Sequence, residues 1–464
     1  MNSFSARAWF GYRRRRSRSR SRSRSFTSRV VLPIAAMLVA STPVFATTIE
    51  RVVSPGGIEA WLVREPAVPL IALDFAFTGG AAQDPQGKAG TANLVASLLD
   101  EGAGEFDSNA FHGRLERKAI ELSFQAERDT LHGSLRTLSE NRDEAFDDLR
   151  LALSAPRFDA ADIEIMRGQI LSMLRRAATS PNDIASQRWW QAAFPGHPYS
   201  HPVSGTLDSV PAVTADDIRD YAHRVLARGN LKVAVVGDID TETVRTALDR
   251  IFGALPTQPE LKAIGTITPH GLGKRIVVKL DVPQAVVTFG GPGIARRDPD
   301  FMAAYIVNHI LGGGSFSSRL YQEVREKRGL AYSVYDSLVW LNHTALFLGG
   351  TATRADRAGE TLDVIQKEIR RLADDGPTTE ELANAKAHLN GSFALNLDTS
   401  SKIAGLLVQL QLDGLGIDYF SRRPEMINAV TLDDARRVAK RLLDGGLLVT
   451  VVGRPEGLAA TGSE

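Results

Sequence analysis

Two stretches of this chain place residues as catalytic groups are placed. The first is "GKAGTANLVASLLDEGAG" (Gly87–Gly104), a glycine-rich turn leading into a helical run with Leu94, Val95, Leu98 and Leu99 apolar. A zinc site on one helix needs two imidazoles four residues apart, facing one way, and a nearby carboxylate to activate water. Asn93 and Ser97 have the spacing without the ligands, and Ala96 cannot act as a base. Asp100 and Glu101, one turn on, read as solvated surface. The nine histidines offer no substitute. "HPYSH" (His197–His201) has the i, i+4 spacing, but Pro198 and Pro202 break the helix it would need, so these read as turn histidines. The others are scattered singly.

The second stretch is "LGGGSFSSRLYQEVREKRGLAYSVYDSL" (Leu311–Leu338). Gly312, Gly313 and Gly314, followed by Ser315, free the backbone to approach another group closely. The pattern predicts a helix from about Ser317 to Lys327 with Leu320 and Val324 inward, a stop at Gly329 and a strand in "LAYSVYDSL". Arg325 lies near the helix end and Tyr332 on the strand, so a short turn could bring both to one surface. A phosphate loop is poorly supported, since no Gly-Lys-Ser/Thr follows. The same residues also read as a loop and helix with a solvated basic end, and spacing alone does not choose.

The elements that must position these residues come as a duplicated unit. "VTADDIRDYAHRVLARGNLKVAVVGDID" (Val213–Asp240) is echoed 217 residues later by "VTLDDARRVAKRLLDGGLLVTVVGRPE" (Val430–Glu456). Each copy opens with Thr and Asp at helix-cap spacing, runs through an amphipathic helix, breaks at Gly and ends in a Val-rich strand. A repeat this long is a duplicated domain rather than a solenoid. Apolar periodicity lapses near Pro256–Lys274, which divides the chain into 47–262 and 263–464. Strands first, then long helices, then strands again predict an α+β fold of two homologous α/β domains, each a sheet covered by helices.

Composition bounds the rest. At 464 residues, two to four domains' worth of chain, with 43% hydrophobic and 23% charged residues, the protein is of the folded, soluble kind. With no cysteine, disulfides, thiolate metal sites and thiol nucleophiles are excluded, and no Gly-x-Ser-x-Gly elbow is present. Residues 1–46 differ in kind. A basic Arg-Ser tract precedes the short apolar run Val30–Ala40 and the small residues Ser41–Ala46, the order of a secretory signal peptide cut after Ala46. An RNA-binding or nuclear Arg-Ser tail and an uncleaved anchor are the competing readings; an RNA tail has no need of the apolar run and cleavage site. The segment holds ten of the 55 basic residues and no acid, so its removal leaves 45 against 54, a net charge of −9. Such an acidic chain is a poor partner for a phosphate backbone, and no nucleic acid is expected.

Taken together, these stretches resemble the insulinase/pitrilysin-type zinc peptidases, the inverted-motif zincins, over nearly the whole mature chain. "TGGAAQDPQGKAGTANLVASLLDEGA" is similar to the segment that carries the family's His-x-x-Glu-His helix, and "LGGGSFSSRLYQEVREKRGLAYSVY" to its C-terminal motif. By that resemblance Arg325 and Tyr332 match the pair that holds substrate backbone and supports the tetrahedral intermediate, with Gly312–Ser315 as substrate-binding segment. Asn93, Ala96 and Ser97 are degenerate metal positions. The family's later glutamate, roughly seventy-five residues on, is also missing: Ser172 and Met173 stand in that region, and no glutamate occurs between Ile165 and Trp190. In two-chain bacterial members one subunit carries zinc while the other supplies the Arg/Tyr pair. The resemblance therefore implies a non-catalytic subunit, inactive alone and without a metal of its own. It would form half of a clam-shell chamber in the periplasm, pairing with a zinc-bearing homologous subunit to degrade short or unfolded peptides. The alternative is a structural or peptide-binding subunit of the respiratory core type, with no role in proteolysis.

Overall fold

A computed structural model describes residues 48–393, 395, 397–456 and 458–461. The expected signal segment, residues 1–46, lies outside them. Among the described residues no helix is long and apolar enough to cross a membrane.

The first half holds strands β1 (Ile49–Val53), β2 (Glu59–Arg64), β3 (Leu70–Thr78), β4 (Glu121–Ala126), β5 (Thr130–Leu138) and β6 (Leu231–Gly237). Its helices are α1 (Thr91–Leu98), α2 (Ser108–Arg117), α3 (Arg142–Ser154), α4 (Ala160–Ala177), α5 (Pro181–Ala193), α6 (Ser209–Ala212), α7 (Ala215–Val225) and α8 (Thr241–Phe252). The second half holds β7 (Arg275–Lys279), β8 (Gln284–Pro292), β9 (Ala331–Leu341), β10 (Thr344–Arg354) and β11 (Leu448–Gly453). Its helices are α9 (Phe301–Asn308), α10 (Ala358–Asp375), α11 (Thr379–Phe393), α12 (Ser400–Leu412), α13 (Tyr419–Ala429) and α14 (Leu432–Leu443).

The strands form two sheets of matching topology, β1-β2-β6-β3-β5-β4 and β7-β11-β8-β10-β9. In each, one pair is parallel, β2 with β6 and β7 with β11, and the other pairs are antiparallel. The fold is therefore the mixed α and β arrangement the sequence predicts, with β1 as an addition to the first sheet. The echoed segments become α7–β6 and α14–β11. Thr214 and Asp217 close a reciprocal capping box on α7, and Thr431 and Asp434 close its counterpart on α14.

The central strands β6 and β11 are buried almost throughout, as their unbroken Val runs require of strands covered on both faces. On one face each sheet carries its own helices. Leu73, Phe75 and Phe77 pack with α1, α3, α7 and α8, while Val287, Phe289 and Val451 pack with α9, α10 and α14. The other face is covered from across the chain. Helix α5 of the first half lies on β8 and β11, and α12 of the second half lies on β3 and β6. Ala185 joins Val286 and Val452, Trp189 joins Leu346 and Leu448, and Ala404, Leu407 and Val408 join Ala76, Ala234 and Val236. Hydrogen bonds fix both exchanges: Trp189 Nε1 donates to the Leu448 carbonyl at 3.0 Å, and Gln411 Nε2 to the Val233 carbonyl at 2.9 Å.

The stretch between the halves is extended and tied down. The Gln83 side chain bonds both the amide and the carbonyl of Lys262, at 2.7 and 3.1 Å. The Ile267 amide donates to His343 and the His270 amide to Ala193. Beside these contacts, the Tyr199 hydroxyl and the Asn342 amide both donate to Asp129, which joins the β4–β5 turn to the β9–β10 turn.

Trp189 is fully buried and hydrogen-bonded across the halves. Trp189→Ala is expected to lower the unfolding free energy by about 4 kcal/mol. Urea titration followed by circular dichroism should show one shifted transition; a separate early transition of the second half alone would contradict the shared core.

Candidate functional site

The first stretch folds as a capped helix whose polar residues serve the fold. Gly90, with φ 99°, ends the turn before α1. The Asp84 carboxylate accepts from the Gly90 and Ala92 amides at 2.7 and 2.8 Å, capping the helix from six residues upstream. Burial pushes that carboxyl up to about 7 against the pull of those amides. Across the turn, Ser209 Oγ donates to the Ala89 carbonyl at 2.7 Å, and Gly205 lies so close that a Cβ there would meet this oxygen at 2.3 Å.

Leu94, Val95, Ala96 and Leu98 of α1 are buried, while Asn93 and Ser97 are half-buried. Ser97 Oγ donates to the Asn93 carbonyl at 2.7 Å, a bond within the helix. Helix α4 packs on α1 and leaves Ser172 and Met173 exposed. A zinc ion finds no donor set here: an amide, an alanine methyl and a serine committed to its own helix stand in place of imidazoles and a carboxylate. Among the described residues, no group of three or more His, Asp or Glu could hold a metal ion. His197 sits in a turn where its ring accepts from the Tyr199 amide. Asp100 and Glu101 are not the solvated surface the sequence suggests. Glu101 accepts from the Ser108 hydroxyl at 2.6 Å, and burial pushes the half-buried Asp100 up to about 6.

In the second stretch α9 runs on into a π-helical turn, His309–Gly313, which the Gly314 amide closes by donating to the His309 carbonyl at 2.8 Å. Ser315 follows with φ 50°, a strained value for a residue with a Cβ. The helix predicted over Ser317–Lys327 begins later, and Tyr321–Glu326 is wound as π-helix, with Leu320 and Val324 fully buried. The glycines are needed for contact. A Cβ on Gly312 would lie 2.6 Å from Asp336 Oδ1, and one on Gly314 would lie 2.6 Å from the His309 carbonyl. Asp336 points inward from β9, and burial holds its carboxyl well above the usual range. Among the described residues no group meets its oxygens at hydrogen-bond geometry, and the backbone amides of Gly312, Asp336 and Gly313 only partly offset the burial.

Arg325 and Tyr332 come together at the surface. The Arg325 guanidinium lies 4.6 Å from the centre of the Tyr332 ring and 4.9 Å from that of Tyr321, within cation–π range of both. Phe316, 70% exposed, stands edge-on to Tyr321 at 5.0 Å, and Gln322 Nε2 donates to its carbonyl at 2.7 Å. Tyr332 is 82% exposed. The neighbouring cations are spent on structure. Arg319 pairs with Glu381 at 2.6 Å, and Lys327 and Arg328 both pair with Glu323 at 2.6 Å. Among the described residues Arg325 reaches a carboxylate only at Glu326, 3.9 Å away. The result is a half-buried cation at the surface, oriented by aromatic rings and weakly compensated, suited to receive a carbonyl or oxyanion. Phe316 and Tyr321 carry no polar signal in the sequence; their spacing from Arg325 was the one available clue.

Residues 63–207 match the family model described as insulinase (peptidase family M16), and residues 212–389 match that of the peptidase M16 inactive domain. An uncharacterized zinc protease of Streptomyces coelicolor is 28% identical over 417 residues, covering 88% of this chain and 90% of its own length. The non-peptidase homolog YmxG of Helicobacter pylori is also 28% identical, over 335 residues, covering 72% and 77%. Among solved structures, the peptidase M16 inactive domain from Pseudomonas fluorescens matches with a TM-score of 0.83 and 27% identity, over 90% of this chain and 100% of that one. A chain of complex III2 from Candida albicans matches with a TM-score of 0.74 at 17% identity, over 89% and 97%, a likeness of fold alone.

Gly312→Ala is expected to cost about 1–3 kcal/mol, because the methyl must displace a buried carboxyl or the turn above it. Gly391→Ala, on α11 with nothing within 4 Å of the added Cβ, is the control expected to be neutral or slightly stabilising. Thermal melts of the two variants distinguish a glycine required by close approach from one that is not.

Proposed function

The chain belongs to peptidase family M16, and we propose that it is the zinc-free subunit of a two-chain peptidase acting on short or unfolded peptides after export to the periplasm. The observation that carries this reading is Arg325, held between Tyr321 and Tyr332 with Glu326 no nearer than 3.9 Å, in a chain whose described residues include no cluster that could hold a metal ion. The homologous partner would bring the metal and the general base, the two chains together enclosing the peptide. This chain's own residues then bind and stabilise. Arg325 donates to the substrate carbonyl oxygen and strengthens that bond as the oxygen gains charge, while the Tyr332 hydroxyl supplies a second donor. The segment Gly312–Ser315 offers backbone to an extended peptide.

The names of the relatives divide: that of the non-peptidase homolog supports a member without its own catalysis, while another is described as a zinc protease. A purely scaffolding or core-type subunit, the alternative, has no use for a surface arginine oriented by rings and left nearly uncompensated.

The purified chain alone is expected to show no peptidase activity and no stoichiometric zinc by metal analysis. Bound zinc together with chelator-sensitive hydrolysis would overturn the assignment. In the reconstituted pair, Arg325→Ala should lower turnover by roughly ten- to a thousandfold with assembly intact by size-exclusion chromatography. Unchanged turnover would remove Arg325 from the site.

A further inference from the structure

The two faces of the first sheet differ in chemistry. On the face toward α1, Leu73, Leu135 and Leu122 stand in register across β3, β5 and β4, beside Phe75, Gly133 and Phe124. On the opposite face the corresponding rows are polar: Asp74, Ser134 and Ser123, flanked by Ala72, Arg136 and Glu121. Helix α12 covers this face over β6 and β3. A cavity of about 190 Å³ opens beside it, lined by Asp74, Ser123, Ser134, Arg136, Ser401 and Ala404, among others.

Asp74 is the unusual member of this lining. Arg136 and Glu121 are paired with each other, and Ser123 and Ser134 share a hydrogen bond of 2.9 Å. Among the described residues no hydrogen bond or ion pair reaches the Asp74 carboxylate, and burial alone pushes it up to about 7, with no neighbouring charge acting on it. Helix α12 brings only small, uncharged groups, Ser401, Ala404 and Gly405, a Cβ on Gly405 falling 3.7 Å from Asp74 Oδ2. A half-buried carboxylate without a partner is disfavoured in its charged form unless a cation completes it. Here the cavity leaves room for one, and the hydroxyls around it can accept the remaining N–H groups.

We propose that Asp74 floors a binding site for a basic side chain, the ammonium of lysine or the guanidinium of arginine, carried by a bound peptide. The site rests on the reading of this chain as a peptide-handling member of its family, and lies in the opposite half of the chain from Arg325. It would favour basic peptides.

The test uses the whole chain and fluorescent peptides, acetylated and amidated, identical except for lysine, arginine or norleucine at the central position. Anisotropy titrations at pH 8, where Asp74 is ionised, are expected to show the basic peptides binding about ten- to a hundredfold tighter than the norleucine peptide. Asp74→Asn should abolish the difference while leaving the norleucine affinity and the melting temperature unchanged. Ser401→Leu, which narrows the cavity from α12 and leaves the carboxylate in place, should weaken only the basic peptides. Equal binding of all three peptides would overturn the cation site alone; failure of every peptide to bind would overturn it together with the peptide-handling reading. A free-amino norleucine peptide that matched the lysine peptide would overturn the side-chain assignment in favour of a terminal amine.

Discussion

Each sheet of this protein is roofed on one face by a helix from the other half of the chain, and most of what the molecule does follows from that exchange. Helix α5 carries Ala185, Trp189 and Ala193 onto the second sheet, and α12 carries Ala404, Leu407 and Val408 onto the first. Without its visitor, one central strand would expose Ala234 and Val236 and the other Leu448 and Val452, a cost of about 25 cal/mol for every Å² of apolar surface left in water. The first half therefore cannot be discarded once its metal chemistry is gone. It supplies the roof beneath which β8 and β11 are buried, and those strands, through β10, carry β9 and Tyr332.

The arginine site shows the same economy at shorter range. Four cations lie between Arg319 and Arg328, and three of them are anchored at 2.6 Å to carboxylates that hold the π-helical turn in place. The fourth, Arg325, is oriented by ring faces instead, which restrict a guanidinium without neutralising it. Beneath it the glycine turn rests on Asp336, so one strand places an exposed ring outward at Tyr332 and a buried acid inward four residues later.

Much of the architecture was legible because its signals are local. Thr214 with Asp217, and Thr431 with Asp434, specify helix starts within three residues, and the Val runs of β6 and β11 announce strands buried on both faces. The absence of zinc donors at Asn93, Ala96 and Ser97 was equally plain, since ligand chemistry is a property of residue type. What covers those strands was not legible: the apolar stripes of α5 and α12 state that something will be buried, with no address. The π-helical winding also escaped, because it follows from contacts of Gly312 and Gly314 with Asp336 and the His309 carbonyl rather than from propensity. Asp84 and Glu101 were missed or misread for a related reason, their partners being chosen by the folded turn around them.

The passage from one half to the other has little slack. Lys262 is gripped on both backbone groups by Gln83, Ile267 and His270 bond to opposite halves, and Asp129 ties two hairpin turns beside them. A hinge needs residues free to change φ and ψ, and those between the sheets are spoken for by hydrogen bonds on either side. The two sheets are built to move as one body. Motions of this chain are then those of its exposed loops and side chains, such as Phe316 and Tyr332, rather than of one sheet swinging against the other.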